Sequence, residues 1–175
     1  MTMKIIAISG SLRKLSLNTL LLQRITQISP PDIEVEIFSR LGELPLFNPD
    51  LSESEQAVVL ALKTKIINAD AVIIASPEYA HGVTGVMKNA LDWMVGNESF
   101  VYKPVALLNI SPRATHAQAA LTEIMTVMSA HVVAKASLTF PILGSITSPQ
   151  ALAQSDEITH LINVMLQELQ QAAAV

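Results

Sequence analysis

Lys4-Ile-Ile-Ala-Ile-Ser-Gly-Ser-Leu-Arg-Lys-Leu-Ser-Leu-Asn-Thr-Leu20 is the stretch from which the fold can be read. Its first half is an apolar run without alternation, as expected of a strand covered on both faces in a parallel sheet, where successive strands need crossovers. Its second half is a polar loop holding Ser9, Gly10, Ser11, Arg13, Lys14, Ser16, Asn18 and Thr19. The loop leads into a helix whose Leu17, Leu21, Ile25 and Ile28 fall at helical spacing. Strand, hydroxyl-rich loop and helix start together aim free N–H groups and the positive end of a helix dipole at one point, with hydroxyls and a guanidinium as further donors. Such a point suits a phosphate.

The absent motifs narrow the phosphate. A P-loop needs Gly-x-x-x-x-Gly-Lys-Ser/Thr and a dinucleotide fingerprint needs Gly-x-Gly-x-x-Gly, yet the next glycine after Gly10 is Gly42. Hydroxyl and amide side chains with only Arg13 and Lys14 positive suit the phosphomonoester of a mononucleotide better than a triphosphate with magnesium. Taken singly, Ser16 or Asn18 could equally be the cap of the first helix.

Composition sets the outer bounds. A chain of 175 residues is expected to be one domain, residues 1–175, burying about 70% of its unfolded surface. Half of the residues are hydrophobic and 15% charged, but no window approaches the ~20 apolar residues of a membrane span. The start, Met1 to Lys4, does not read as a secretory signal, so a cytoplasmic location is expected. Zero cysteines exclude disulfides, thiolate metal sites and a cysteine nucleophile. A net charge of −4 without a basic cluster, together with few aromatics, argues against nucleic acid and anionic membranes as partners.

Further along, Ile33 to Phe38 alternates apolar and acidic and reads as an edge strand with one wet face. Arg40 to Asp50 is a loop presenting Leu46 and Phe47. Ser52 and Glu55 form the pattern of a capping box before a helix carrying Val59, Leu62 and Ile66. Ala71 to Ala75 is a second buried strand, Ser76 to Gly85 its exit loop, and a helix follows from about Val86 to Met94. Val105 to Ile110 is another buried strand with the exit loop Ser111 to Ala114. Thr115 to Gln118 reads as a second capping box, and the helix it opens turns Leu121, Ile124, Met125 and Met128 inward. The last strand falls within His131 to Phe140, broken in two, followed by a polar connector from Gly144 to Gln154. A final helix opens at Ser155, with Ile158, Leu161, Ile162, Met165 and Leu169 as its buried stripe. Strand and helix alternate, so the class is α/β: a three-layer sandwich on a five-stranded parallel sheet of order 2-1-3-4-5.

On such a sheet, ligands bind at the carboxyl ends of the strands where the winding reverses, between the loops after strands one and three. A receiver domain shares the order but requires acidic residues after strand one and an aspartate ending strand three; here those positions hold Ser9-Gly10 and Ser76. Neither Glu78, read as a solvated carboxylate, nor the isolated histidines His81, His116, His131 and His160 give a metal or proton-transfer pattern, so no metal is expected.

Two motifs then carry a resemblance: Gly-Ser-Leu-Arg-x-x-Ser-x-Asn over Gly10–Asn18, and Pro-Glu-Tyr-x-x-Gly-x-x-Gly-x-x-Lys-Asn-Ala-x-Asp-Trp over Pro77–Trp93. Together with Leu44–Asp50, they resemble the NAD(P)H-dependent FMN reductases, flavodoxin-like enzymes that include quinone, chromate and azo reductases. The resemblance implies bound FMN, NADPH or NADH as co-substrate, and a small-molecule electron acceptor. It implies that Ser11, Arg13, Ser16, Asn18 and Thr19 hold the FMN phosphate and that Pro77, Glu78, Tyr79, Ala80 and His81 border the isoalloxazine. It further implies that the helix bearing Lys88, Asn89, Asp92 and Trp93 and the Leu46–Phe47 loop meet a second subunit, in a homodimer or homotetramer. The chain departs from the family's pattern where many members carry Asn-x-Ser (here Ala80-His81-Gly82), a proline (here Thr84), and a glycine pair (here within Ser111 to His116).

Main-chain N–H groups of Pro77 to His81 would meet the ring edge, so no catalytic side chain is required. Positioning of nicotinamide against the ring does much of the work. N–H groups of Ser111 to Ala114 and the following helix start would stabilise charge at N1 and O2 of the reduced ring. The rival classes are a non-catalytic flavodoxin-type electron carrier and an FMN sensor; the mild acidity and scarcity of aromatics weigh against a carrier.

Overall fold

The computed structural model describes residues 2–142, 144, 146 and 148–174. In chain order its regular elements are β1 (Met3–Ser9), α1 (Leu17–Ile28), β2 (Ile33–Ile37), α2 (Ala57–Asn68), β3 (Ala71–Ala75), β4 (Glu78–Tyr79), β5 (Gly82–Val83), α3 (Gly85–Val95), β6 (Pro104–Leu108), α4 (Thr115–Val127), β7 (His131–Val132), α5 (Pro149–Ala153) and α6 (Asp156–Ala173). The main sheet runs β2-β1-β3-β6-β7, every neighbouring pair parallel. Counted along the chain, that is the expected 2-1-3-4-5.

Lack of alternation in β1, β3 and β6 has a direct cause: both faces are covered. Ile5 and Ala7 of β1 pack with α1 and α6 residues such as Leu21, Ile25, Ile162 and Met165, while Ile6 and Ile8 pack with Leu62, Ile66, Met87 and Leu91 of α2 and α3. Burying a Leu or Ile side chain is worth about 1.5–3 kcal/mol, so these two apolar layers are the main source of stability. At the edge, β2 keeps Glu34 and Glu36 in solvent, and Glu36 pairs with Lys65 at 2.8 Å. Lys103 donates from Nζ to Ile67 O at 3.3 Å and to Ala69 O, closing the end of α2. Burial lowers its pKa, and Asp70 partly opposes the shift.

Several local expectations are corrected. Ser52 gives its N–H to Glu55 Oε2 at 2.9 Å, but its hydroxyl also donates to that oxygen instead of accepting an amide. Only half of the box forms, and α2 starts later, at Ala57. Thr115 lies inside α4, whose N-cap position is Ala114 without a side-chain cap; the carboxylate that serves that end comes from elsewhere in the chain. The exit loop of β3 contains the hairpin β4–β5, and the connector after residue 143 contains α5; Ser145 and Thr147 of that connector lie outside the described residues. The last strand is broken as expected, β7 being followed by a bridge between Asn109 and Thr139. Trp93 is buried within the chain. It is 7% exposed, donates from Nε1 to Pro45 O at 2.8 Å and meets Phe47 edge-on with centroids 5.0 Å apart. Leu46 remains 83% exposed. Among the described residues no helix is long and apolar enough to cross a membrane.

Candidate functional site

The loops after β1 and β3 are brought together by Gly10. Its N–H donates to Ala75 O at 2.8 Å, and its carbonyl accepts from Thr84 Oγ1 at 2.7 Å. A Cβ at this position would lie 2.2 Å from Ser76 Oγ and 3.0 Å from Ser76 Cα, so only glycine permits the approach. Thr84 also caps α3, accepting the Met87 N–H at 3.4 Å.

Beyond Gly10 the chain rises over α1. Ser16 is the N-cap, with extended backbone and its hydroxyl accepting the Thr19 N–H at 3.3 Å. Thr19 Oγ1 bonds Ser9 Oγ at 2.8 Å. A cavity of about 320 Å³ opens at the carboxyl ends of β1, β3 and β6. Of the expected site residues, Ser11, Arg13, Ser16, Asn18, Pro77, Glu78, Tyr79 and Ser111 line it, and Thr19, Ala80 and His81 do not. Thr19 braces the wall from behind. Ala80 and His81, with φ of 49° and 58°, form the left-handed turn between β4 and β5. Tyr79 is 53% exposed and also faces an adjoining cavity of about 450 Å³ lined by Leu12, Thr84 and Val86.

The third rim differs from expectation. Asn109 Oδ1 accepts the Ser111 N–H at 2.9 Å, Ser111 Oγ accepts the Arg113 N–H at 3.2 Å, and Ser111 O accepts the Ala114 N–H at 3.1 Å. Pro112 has no N–H. The amides of Ser111, Arg113 and Ala114 are therefore engaged within the loop, and Arg113 adds its side chain to the cavity wall. Glu78 is also corrected: its side chain is 13% exposed, and Oε2 accepts the Ala117 N–H at 2.8 Å, giving α4 the anion its amino end favours. Its other oxygen lies 3.7 Å from His81 Nδ1, and the His81 ring meets His116 edge-on at 4.4 Å.

Sequence reasoning overlooked Leu17, Asn109, Ile110 and the Arg113 guanidinium as wall residues. An asparagine directly after an apolar strand and two residues before a serine was the available signal for the Asn109 turn. Among the described residues the guanidinium groups of Arg13 and Arg113 make no ion pair or hydrogen bond, and Asn18, 2% exposed, has a buried Oδ1 without a partner. A buried acceptor left unpaired costs about 1–3 kcal/mol, so a ligand that brings donors as well as negative charge would complement this wall. A phosphate joined to a hydroxyl-bearing chain has both. Among the described residues no group of three or more His, Asp or Glu could hold a metal.

A profile of NADPH-dependent FMN reductases matches residues 3–142. The chain is 31% identical over 173 residues to an NAD(P)H-dependent FMN reductase of Pseudomonas aeruginosa, covering 95% of this chain and 93% of that one. It is 34% identical over 109 residues to a quinone reductase of Escherichia coli, covering 60% of this chain and 58% of that protein. Among solved structures, FerB, a flavoenzyme NAD(P)H:(acceptor) oxidoreductase from Paracoccus denitrificans, superposes with a TM-score of 0.81 at 26% identity. That match covers 99% of this chain and 98% of that one.

Proposed function

The chain belongs to the NADPH-dependent FMN reductase family, and from that premise we propose that it is an NAD(P)H-dependent flavin oxidoreductase acting on a small acceptor such as a quinone, free flavin, azo compound or chromate. The observation that carries the reading is the wall shared by the unpaired Arg13 guanidinium, the unpartnered Asn18 Oδ1 and the Pro77–Tyr79 segment. That donor and acceptor set fits FMN. Ser11, Arg13 and Ser16 hold the phosphate above the start of α1, and Asn18 accepts from a hydroxyl of the sugar chain. Pro77, Glu78 and Tyr79 border the ring, with Ala80 and His81 shaping the hairpin that presents them and Ser111 on the far rim. When bound, FMN supplies the redox chemistry, taking a hydride equivalent from NADPH or NADH and returning electrons to the acceptor.

The chain's own residues supply position. Gly10 and Thr84 lock the first two rims together. Glu78 ties the second to α4, so the cradle is held by bonds formed before any ligand arrives. Exposed Tyr79 stands between the two cavities, where a nicotinamide or acceptor can approach. We further read residues 1–175 as one cytoplasmic domain that assembles as a homodimer or homotetramer and partners with neither nucleic acid nor membrane.

The test is anaerobic addition of NADPH or NADH to the FMN-loaded protein, followed by aerobic steady-state assays with a quinone. Bleaching of the flavin followed by multiple turnovers is expected. Bound FMN that neither nicotinamide bleaches would place the protein among sensors, and bleaching without turnover would place it among carriers.

A further inference from the structure

Like the β1 loop, the β6 rim closes amides on its own side chains and brings an arginine to the cavity wall. Ser111, Arg113 and Ala114 give their N–H groups to Asn109 Oδ1, Ser111 Oγ and Ser111 O, and Pro112 has none. Arg113 lines the cavity with an exposed side chain whose guanidinium has no partner among the described residues. The nearby carboxylate on the wall, Glu78, is engaged with Ala117 N–H and lies beside His81.

Resting on the FMN reading above, we propose that Arg113 is a cofactor-binding residue that discriminates between the oxidation states of the flavin. The oxidised ring system is neutral. Two-electron reduction leaves negative charge on its pyrimidine portion near neutral pH, and that charge needs donors or a cation. Within Ser111–Ala114 the main-chain donors are already bonded, so the guanidinium is the group this loop brings to that charge. An arginine remains charged throughout the range in which the protein is folded, so its attraction is present whenever the ring carries charge. Charge-assisted hydrogen bonds are roughly twice as strong as neutral ones, so preference for the reduced cofactor follows without tighter holding of the oxidised one. Such a bias favours acceptance of electrons from the nicotinamide and lowers the driving force for passing them on, which directs the protein toward acceptors of higher potential.

The experiment compares wild type with Arg113→Lys, Arg113→Gln and Arg113→Glu, measuring the dissociation constant of oxidised FMN by fluorescence and the midpoint potential of the bound cofactor against reference dyes. Arg113→Gln should leave binding of oxidised FMN within about threefold. It should weaken binding of the reduced form about tenfold, a fall of about 30 mV for a two-electron couple. Arg113→Lys should stay closer to wild type and Arg113→Glu should fall further. A potential that does not follow the charge at position 113, or an equal loss of affinity in both oxidation states, would overturn the proposal. Should wild type itself take up no FMN, the functional reading fails and this proposal with it. Uptake with an unmoved potential in the variants removes this proposal alone.

Discussion

On both the β1 and the β6 side of the cavity the loop bonds its own amides, Ser11 and Arg13 on one side and Ser111 and Arg113 on the other, but the β1 side is also tied into the β3 loop through Gly10. Gly10 is bonded to Ala75 and Thr84, which leaves the hydroxyl of Ser11 and the guanidinium of Arg13 facing the cavity from a rigid base. The Ser111–Ala114 loop folds around the Asn109 carboxamide and the Ser111 hydroxyl and brings the Arg113 side chain to the cavity. A rim that satisfies its own amides, as both do here, presents charge through a side chain, Arg13 on one side and Arg113 on the other. Glu78, bonded to Ala117, is the tie between the two sides.

The largest expected break in this contrast comes from Arg13→Ala. Loss of a charge-assisted bond to phosphate is worth about 1.5–3 kcal/mol, roughly 10- to 150-fold in FMN affinity, read by fluorescence titration. Next is Gly10→Ala, which forces a methyl into Ser76 and separates the first two rims. A stability loss of about 1–3 kcal/mol in urea unfolding is expected, with weakened FMN binding as a consequence of the opened wall. Glu78→Ala removes the cap on α4 at a cost of about 0.5–2 kcal/mol, and Glu78→Gln, which keeps an acceptor, should recover most of it. The smallest effect lies outside both rims. Hydrogen bonds from the Ser52 hydroxyl and then its amide lower the pKa of Glu55, so the folded state gains from its ionisation above the unfolded value of 4.5. That gain is lost as pH falls through the folded pKa. Glu55→Gln should flatten the acid side of the stability profile below about pH 4.5 and leave FMN affinity at pH 7 unmoved.

These elements also mark where sequence was informative. Strands β1, β3 and β6 are legible because burial on both faces forces uninterrupted apolar runs, and β2 because one wet face forces alternation. The clustering of Ser11, Arg13, Ser16 and Asn18 with Pro77–Tyr79 follows from the strand order, since adjacent strands bring their exit loops together. Partnerships between distant residues were not legible. Nothing local marks Thr84 as the partner of Gly10, or Glu78 as the cap of a helix starting 37 residues later at Thr115. The β4–β5 hairpin was hidden because its left-handed turn is made by Ala80 and His81 and not by asparagine and glycine, the usual signal. Serine and threonine patterns at Ser52 and Thr115 looked like caps because spacing alone cannot show which oxygen an amide will choose.

The central claim is that the Arg13 rim anchors a phosphomonoester. Parallel titrations of wild type and Arg13→Ala with FMN and with riboflavin test it most directly, because the two ligands differ only in that group. Wild type should prefer FMN by at least about tenfold, and Arg13→Ala should lose most of that preference while binding riboflavin as wild type does. Equal affinity of wild type for the two ligands, or a preference that survives Arg13→Ala intact, would contradict it.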